Sequence, residues 1–511
     1  MRILKAAMTV GGFTAVSRLF GLVREMMISH LLGASIVTDA FFVAFKFPNF
    51  FRRIFAEGAF NASFVPLFSH TLVSEGEAAA KGMAEKIFAA LAFVLTIFVA
   101  LVVLFTPSII HILAPGFATT PERFELAVTY TQITFPYILF ISLTAHLSGV
   151  LNSLDRFATA AGVPVLLNIM MIAALLMAPK WGVSYGIALS VSVCVAGVLQ
   201  LLWVYFACVR AGFRIHLRLP TFSLEVRKLC RLMIPGVIGA GVMNINLFID
   251  TILASFLPAK SISFLFYADR LNQFPLSILG IAMGTALLPS LSRQLKAGDY
   301  EKAHHSKKLA IEFAIQLTLP AALGLMLLSY PMIHVIYGLS ISDTQAIASA
   351  LAAFAAGIPA YVLTKIFAAS FFARQDTKTP VKIGCLCIAI NLILNLVLMQ
   401  FFAHVGLALA TSLAAWVNAS LLYAGLKRRH WFRLTPAFWI LTGKVVIATA
   451  AMGLGLWAFA LVGSGMLNHG VGLEVFYIFL SVMVGLAVYA VFSVSFKLIN
   501  LTKIKQALLR R

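Results

Sequence analysis

Long apolar runs separated by short polar ones make up almost the whole chain. Breaking them at Gly, Pro and charge predicts fourteen helices, near 4–28, 36–68, 83–112, 125–151, 159–179, 183–208, 230–256, 261–292, 309–337, 345–373, 381–401, 406–426, 438–462 and 472–496. A helix needs ~20 mostly apolar residues to cross a bilayer, and these stretches supply them from end to end. No polar run is long enough for a separate soluble domain. The predicted class is an all-α polytopic membrane protein. The second and eighth spans are long, so they bend or reach past the lipid, with Pro66 and Pro289 near their far ends as stops or kinks. The basic start, Met1 to Lys5, leads into an apolar stretch interrupted by Arg18 and Arg24, which reads as a retained first helix and not a cleavable signal.

Composition agrees. Of 511 residues, 61% are hydrophobic and 11% charged, where a soluble domain carries roughly 25% charged. The net charge of +21 raises the question of nucleic acid, and the distribution of the charge answers it. Taking alternate loops, one side holds 28 Lys and Arg, in clusters such as Arg210 to Arg231, Arg293 to Lys308 and Lys427 to Arg433; the other holds Arg123, Lys180 and Lys260. Cations are retained on the cytoplasmic side, so both termini are predicted to be cytoplasmic and no nucleic-acid partner is needed. Five cysteines, odd in number and scattered through apolar segments, fit neither a disulfide framework nor a zinc site.

A distant repeat runs through the first twelve spans. Phe64-Val-Pro-Leu-Phe-Ser69 resembles Leu287-Leu-Pro-Ser-Leu-Ser292, and Pro136 and Pro359 share the same 223-residue offset. Six spans per copy give two copies of the same orientation, related by an axis along the membrane normal. The predicted architecture is two pseudo-symmetric six-helix lobes, 1–220 and 221–430, followed by two further spans in 431–511.

Eight cations remain inside the spans: Arg18, Arg24, Lys46, Arg52, Arg53, Arg270, Lys365 and Lys444. Each costs ~2.5–3.5 kcal/mol at a helix centre, and those near helix ends escape by snorkelling. Six belong to the first, second and eighth spans. In the second, Asp39, Lys46 and Arg53 are seven apart and share a face, with Glu57 one turn beyond Arg53 to pair with it. Glu25, Asp39 and Glu57 are too few to neutralise five cations. The guanidinium fork suits phosphate oxygens, so Arg18, Arg24, Arg52 and Arg270 predict a hydrated cavity for a phosphate-type anion; Lys46 and Arg53 have Asp39 and Glu57 as alternative partners. The competing reading has the arginines on backbone carbonyls, lipid headgroups or inter-helix carboxylates. A second polar cluster, Asp250, Asn391, Asn395 and Thr411, fits either a small monovalent cation (Na+) or a proton, or ordinary hydrogen bonding between membrane helices. No nucleophile–base pair is found, and no catalysis is expected.

Thr38-Asp-Ala-Phe-Phe-Val-Ala-Phe45, Pro48-Asn49, Arg52-Arg-Ile-Phe-Ala-Glu-Gly-Ala-Phe60, Tyr267-Ala-Asp-Arg270 and Arg374-Gln-Asp-Thr-Lys-Thr-Pro380 resemble the MurJ (MviN) lipid II flippase family of the MOP exporter superfamily. The resemblance runs the length of the chain. It implies two lobes around a central cavity, alternating access, and movement of an undecaprenyl-pyrophosphate-linked disaccharide-peptide across a bacterial inner membrane, in the company of membrane lipids and cell-wall synthesis proteins. It implies substrate contacts at Arg18, Arg24, Arg52 and Arg270. Ser17, Asp39, Lys46, Asn49, Arg53 and Glu57 would line or gate the cavity. It also implies a sodium site at Asp250, Asn391, Asn395 and Thr411, although one branch has a second acidic group where Asn395 stands. The last two spans would form a groove for the lipid tail, with Phe459, Leu461, Phe476, Phe479 and Phe492 as lining candidates. The alternatives are a flippase for another polyprenyl-linked glycan and a cation-coupled drug exporter; cationic walls disfavour the second.

Overall fold

A computed structural model describes residues 2–52, 60–216, 218–221, 223–466 and 470–498, and at 2–7, 235–244, 278–286, 464 and 471 the backbone alone. The described residues form eighteen α-helices and two short 3-10 turns, with no strand. In chain order these are α1 (Arg2–Leu32), α2 (Ile36–Phe51), α3 (Phe60–Ser74), α4 (Gly76–Leu104), α5 (Thr106–Leu113), α6 (Pro121–Thr134), α7 (Tyr137–Ser153), α8 (Phe157–Trp181) and α9 (Tyr185–Arg210). Then follow α10 (Leu224–Ser255), α11 (Ser261–Lys296), α12 (Tyr300–Leu327), α13 (Ser329–Tyr337), α14 (Ile341–Ala355), α15 (Ile358–Phe372), α16 (Lys378–Arg428), α17 (Pro436–Gly463) and α18 (Val471–Ser495).

All fourteen predicted spans fall on helices where described, the third, fourth, ninth and tenth with a break inside. Nine helical stretches among the described residues are long and apolar enough to cross a membrane, counting α6–α7, α14–α15 and α16 as one each. The eleventh and twelfth spans run together as α16, and their boundary is Ala403, whose φ of 46° and ψ of −126° leave the helical region. Gly406 is required beside that corner, because a Cβ there would stand 2.3 Å from the Leu398 carbonyl oxygen. Pro66 and Pro289 lie inside α3 and α11 and end neither.

The repeat shows again where helices break. The third span stops at Phe105 and restarts as α5, and the ninth stops at Leu328 and restarts as α13, again 223 residues apart. Pro107 and Pro331 follow in the first turn of the new helix, where a missing N–H leaves no hydrogen bond unmade. The fourth span breaks at Pro136 and the tenth at Gly357, before Pro359.

Two compact units result, 1–263 and 264–511. In the first, α1 lies on α8, α8 on α9, α7 on α9 and α2 on α6. Its core includes Phe47, Leu95, Val99, Phe135 and Ile138. In the second, α12 contacts α14, α15 and α17, α16 covers α14 and α15, and α18 lies on α17. Leu291, Ile311, Ile366, Phe371, Leu422 and Val445 form its core.

Compactness therefore divides the chain one span later than the repeat boundary at 220/221. The reason is packing: α10 is held to the first unit at both ends. Lys86 Nζ donates to Glu225 at 2.9 Å, and at the other end the Gly116 N–H donates to Ser255 Oγ at 3.0 Å. A Cβ on Gly116 would stand 2.2 Å from the Ser255 carbonyl oxygen. Between these, Phe248 meets Phe50 with ring centroids 4.1 Å apart.

Candidate functional site

The start of α2 is fixed by a capping box, in which Ser35 Oγ accepts from the Thr38 N–H and Thr38 Oγ1 accepts from the Ser35 N–H. This sets the phase of the helix, and one residue later Asp39 is fully enclosed. Asp39 Oδ2 accepts from Arg123 at 2.6 Å and from the Lys260 N–H at 2.7 Å; Oδ1 accepts from the Ser263 N–H at 2.8 Å and its hydroxyl at 2.6 Å. Because Ser263 lies in the first turn of α11, Asp39 places a carboxylate at that helix's N-terminus, where negative charge is stabilised. Arg123 is itself 3% exposed, with its guanidinium 3.9 Å from the centroid of the Phe117 ring.

Two expectations are corrected here. Arg123 is not a loop cation but a buried residue of α6. Asp39 does not answer Lys46: Lys46 Nζ donates instead to Thr251 Oγ1 of α10 at 3.3 Å. Arg53 and Glu57 lie outside the described residues.

On α1, Arg24 is 5% exposed. One terminal nitrogen donates to Asn168 Oδ1 at 2.8 Å, the other to Glu25 Oε1 at 2.7 Å. Adjacent helical residues leave the axis about 100° apart, and the length of the arginine closes that gap. Glu25 thus already answers one of the cations expected to await an outside anion. Asn168, from α8, also donates to the Ser17 carbonyl at 3.0 Å and lies 3.4 Å from its hydroxyl, so one amide clamps α1 at two turns. Arg18, between them in sequence, is exposed. On α2, Asn49 Nδ2 donates to the Phe45 carbonyl, and Asn49 Oδ1 accepts from Arg52 Nε at 3.2 Å. Asn168 and Asn49 thus orient the guanidinium groups of Arg24 and Arg52, and the Glu25 carboxylate offsets the charge of Arg24.

In the second unit Arg270 is half-buried on α11, 5.2 Å from the centroid of the Phe266 ring one turn earlier. Its neighbour Asp269 accepts from the Gln273 amide. Asn391 and Asn395 share a face of α16 as expected, the second donating to the first at 2.9 Å. Thr411 Oγ1 donates to the Leu407 carbonyl, and Tyr361 donates to the Thr411 carbonyl. Asp250, on α10 of the first unit, accepts from Asn246 at 3.4 Å. Among the described residues no group of three His, Cys, Asp or Glu side chains is placed to hold a metal.

Sequence reasoning missed Asn168, Arg123, Ser263 and Glu85. Only Asn168 carried a signal, as a lone amide in an apolar span. Glu85 is 1% exposed and accepts from Arg218 Nε at 2.6 Å and from the ring and N–H of His216, which straps the segment after α9 to α4. The Arg374 to Pro380 motif proves to be a latch on the end of α16. Asp376 accepts from Thr379 and Arg429, and Trp431 takes Arg374 and Arg429 at 4.7 and 4.9 Å from its ring centroid. Burial works to raise the Asp376 carboxyl, and those hydrogen bonds outweigh it and hold the group at about 2.

The family model described as lipid II flippase MurJ matches residues 28–480. A probable lipid II flippase MurJ of Rhizobium tropici is 42% identical over 460 residues, 89% of this chain and 86% of the relative. One of Rickettsia prowazekii (strain Madrid E) is 38% identical, over 89% of this chain and 90% of the relative. Among solved structures, a lipid II flippase MurJ in an inward closed conformation aligns with a TM-score of 0.80 at 25% identity, over 95% of this chain and 98% of the other. An inward-facing MATE-family multidrug transporter of the MOP superfamily aligns at 0.68 and 13% identity, over 81% and 94%, which shows a shared fold alone. This chain belongs to the MurJ lipid II flippase family.

Proposed function

We infer that this chain is a lipid II flippase, a multi-pass membrane transporter that moves the lipid-linked cell-wall precursor between leaflets without breaking a bond. The observation that carries the reading is the family match over residues 28–480. The intramembrane arginines are the contacts assigned to the cargo's pyrophosphate in this reading: Arg18, Arg24 and Arg52 on the first unit, Arg270 on the second. Arginine replaces phosphate hydration with fixed, paired donors, and the amides of Asn49 and Asn168 hold two of these forks in place. Ser17 and Lys46 line the same helices, and Asp39 secures the N-terminus of α11.

The cation-rich side faces the cytoplasm, with both termini, in a bacterial inner membrane. The head group enters from that side, the polyprenyl tail lies along α17 and α18, where Leu461, Phe476 and Phe479 are exposed, and the lobes rock to release the head outside. An inside-negative potential drives the anionic head outward by ~2.3 kcal/mol per charge per 100 mV if the whole field is crossed. Coupling to Na+ or a proton rests on Asp250, the one carboxylate of its cluster; replacing Na+ by K+ at fixed pH, then changing pH at fixed Na+, separates the two.

The test is a flipping assay on purified protein in vesicles, with lipid II against another polyprenyl-pyrophosphate glycan. Lipid II is expected to cross and the other to lag, and Arg24→Ala to slow lipid II at least about tenfold, the equivalent of one lost charged hydrogen bond. Equal rates for both lipids would assign a broader glycan flippase. An unimpaired Arg24→Ala would remove the arginines from the mechanism.

A further inference from the structure

Arg24 is assigned to the cargo, yet its guanidinium is enclosed between helices of the first unit. The nitrogen that donates to Asn168 also lies 3.7 Å from Met171 Sδ, three residues further along α8 on the same face. The fork's carbon is 6.0 Å from the centroid of the Phe45 ring on α2. Glu25, which accepts from the other terminal nitrogen, is as dry as the arginine. The surroundings of α1 change at this point. No residue from Met8 to Val23 is buried, whereas Arg24, Glu25, Ile28 and Ser29 are. Arg18, six residues earlier and ~9 Å along the axis, is exposed. Arg24 thus stands at the edge of the covered part of α1, turned toward α8. There is a physical reason for the enclosure. A cation left alone in a membrane span is costly, and a carrier holds its cargo for only part of each cycle. For the remainder, Asn168 and Glu25 supply the partners.

We propose that Asn168 and Glu25 form a resting seat for Arg24, and that the cargo's pyrophosphate has to draw Arg24 out of it. This rests on the lipid II reading above and deepens it. Asn168 and Glu25 are then positioning residues: neither touches the cargo, and both compete with it for the same guanidinium donors. A charged phosphate oxygen is a stronger acceptor than a neutral amide, so the exchange is favourable at Asn168. Glu25 carries a charge of its own and opposes the exchange more strongly. It is next to Arg24 on α1, so the two move together and the carboxylate is not left behind on another helix. Asn168 stays with α8, and releasing Arg24 also frees one of the two turns of α1 that this amide clamps.

The experiment measures the affinity of the full chain for lipid II in lipid nanodiscs. Glu25→Gln keeps the shape of the seat and removes its charge, and should bind lipid II about tenfold tighter, the equivalent of one charged hydrogen bond no longer competed for. Asn168→Leu removes the amide at similar volume and should tighten binding by less, about threefold. Arg24→Ala should weaken binding, and Glu25→Gln added to it should then have no effect, because no guanidinium is left to release. A gain that survives in the Arg24→Ala background would be a general effect of charge on an anionic lipid, and the proposal fails. It also fails if Glu25→Gln weakens binding or leaves it unchanged at a matched yield of folded protein, since the pair is then a structural tie. Should Asn168→Leu not fold, the two Glu25→Gln measurements decide alone. If the intact protein binds no lipid II, the flippase reading itself is at fault.

Discussion

Two carboxylates of the first unit are almost equally dry, and their partners are not. Asp39 is fully enclosed, and the side chain of its partner Arg123 is 4% exposed. Glu85 is 1% exposed, but the side chains of His216 and Arg218 are 56% and 58% exposed. The first pair ties α2 and α6 to the turn leading into α11; the second ties α4 to the segment leading into α10. A pair whose two members are both buried opens only by stranding charge, which costs about 3–5 kcal/mol. A pair with one wet partner can hand that partner to water and strands only the carboxylate, so it opens at lower cost. One unit thus carries a fixed latch at its cation-poor end and a releasable one at its cation-rich end, and α10 is bounded by both.

The sharpest way to break this contrast is Arg123→Ala. Stranding Asp39 should lower stability by about 3–5 kcal/mol, read as a large fall in the thermal midpoint in detergent. A fall no larger than that of Arg218→Ala would abolish the distinction. Gly116→Ala should come next, at about 1–3 kcal/mol, since its Cβ would meet backbone of α10 at 2.2 Å; Gly384→Ala, with nothing within 4 Å, is the control and should be neutral or stabilising. Arg218→Ala should cost less than Arg123→Ala, because His216 still donates to Glu85, yet speed hydrogen exchange at the His216 amide.

The smallest effect concerns Asp376, the corresponding wet latch of the second unit. Its carboxyl is depressed from 3.8 to about 2, so its stabilisation is fully present above the unfolded value and disappears as pH falls through about 2. Thermal midpoints of intact protein and Asp376→Asn should therefore keep a constant separation between pH 7 and pH 5. A separation that shrinks in that interval would contradict the depressed value.

Much of this was legible in the sequence. Apolar run length placed the fourteen spans on helices, whereas the breaks at Phe105 and Leu328 carried no signal in the apolar pattern, although they recur at the same 223-residue offset. Arg18, Arg24, Arg52 and Arg270 stood out because charge is expensive in lipid. Partners were harder to read. Arg123 sits in Thr119-Thr-Pro-Glu-Arg-Phe-Glu125, a polar stretch that passes for a loop, and its carboxylate is 84 residues away. Asn168 looks like one tolerated amide until α8 is laid against α1. Glu85 pairs with residues 131 positions away and beyond, in a segment with no helical period to place it. Local pattern reports which groups cannot stay alone; which group answers them depends on how helices distant in sequence are laid together.

The paired interruptions at Phe105 and Leu328 bear on ancestry. A break that recurs at one register in both copies was present before the copies parted, so the progenitor was a six-span polypeptide already carrying it.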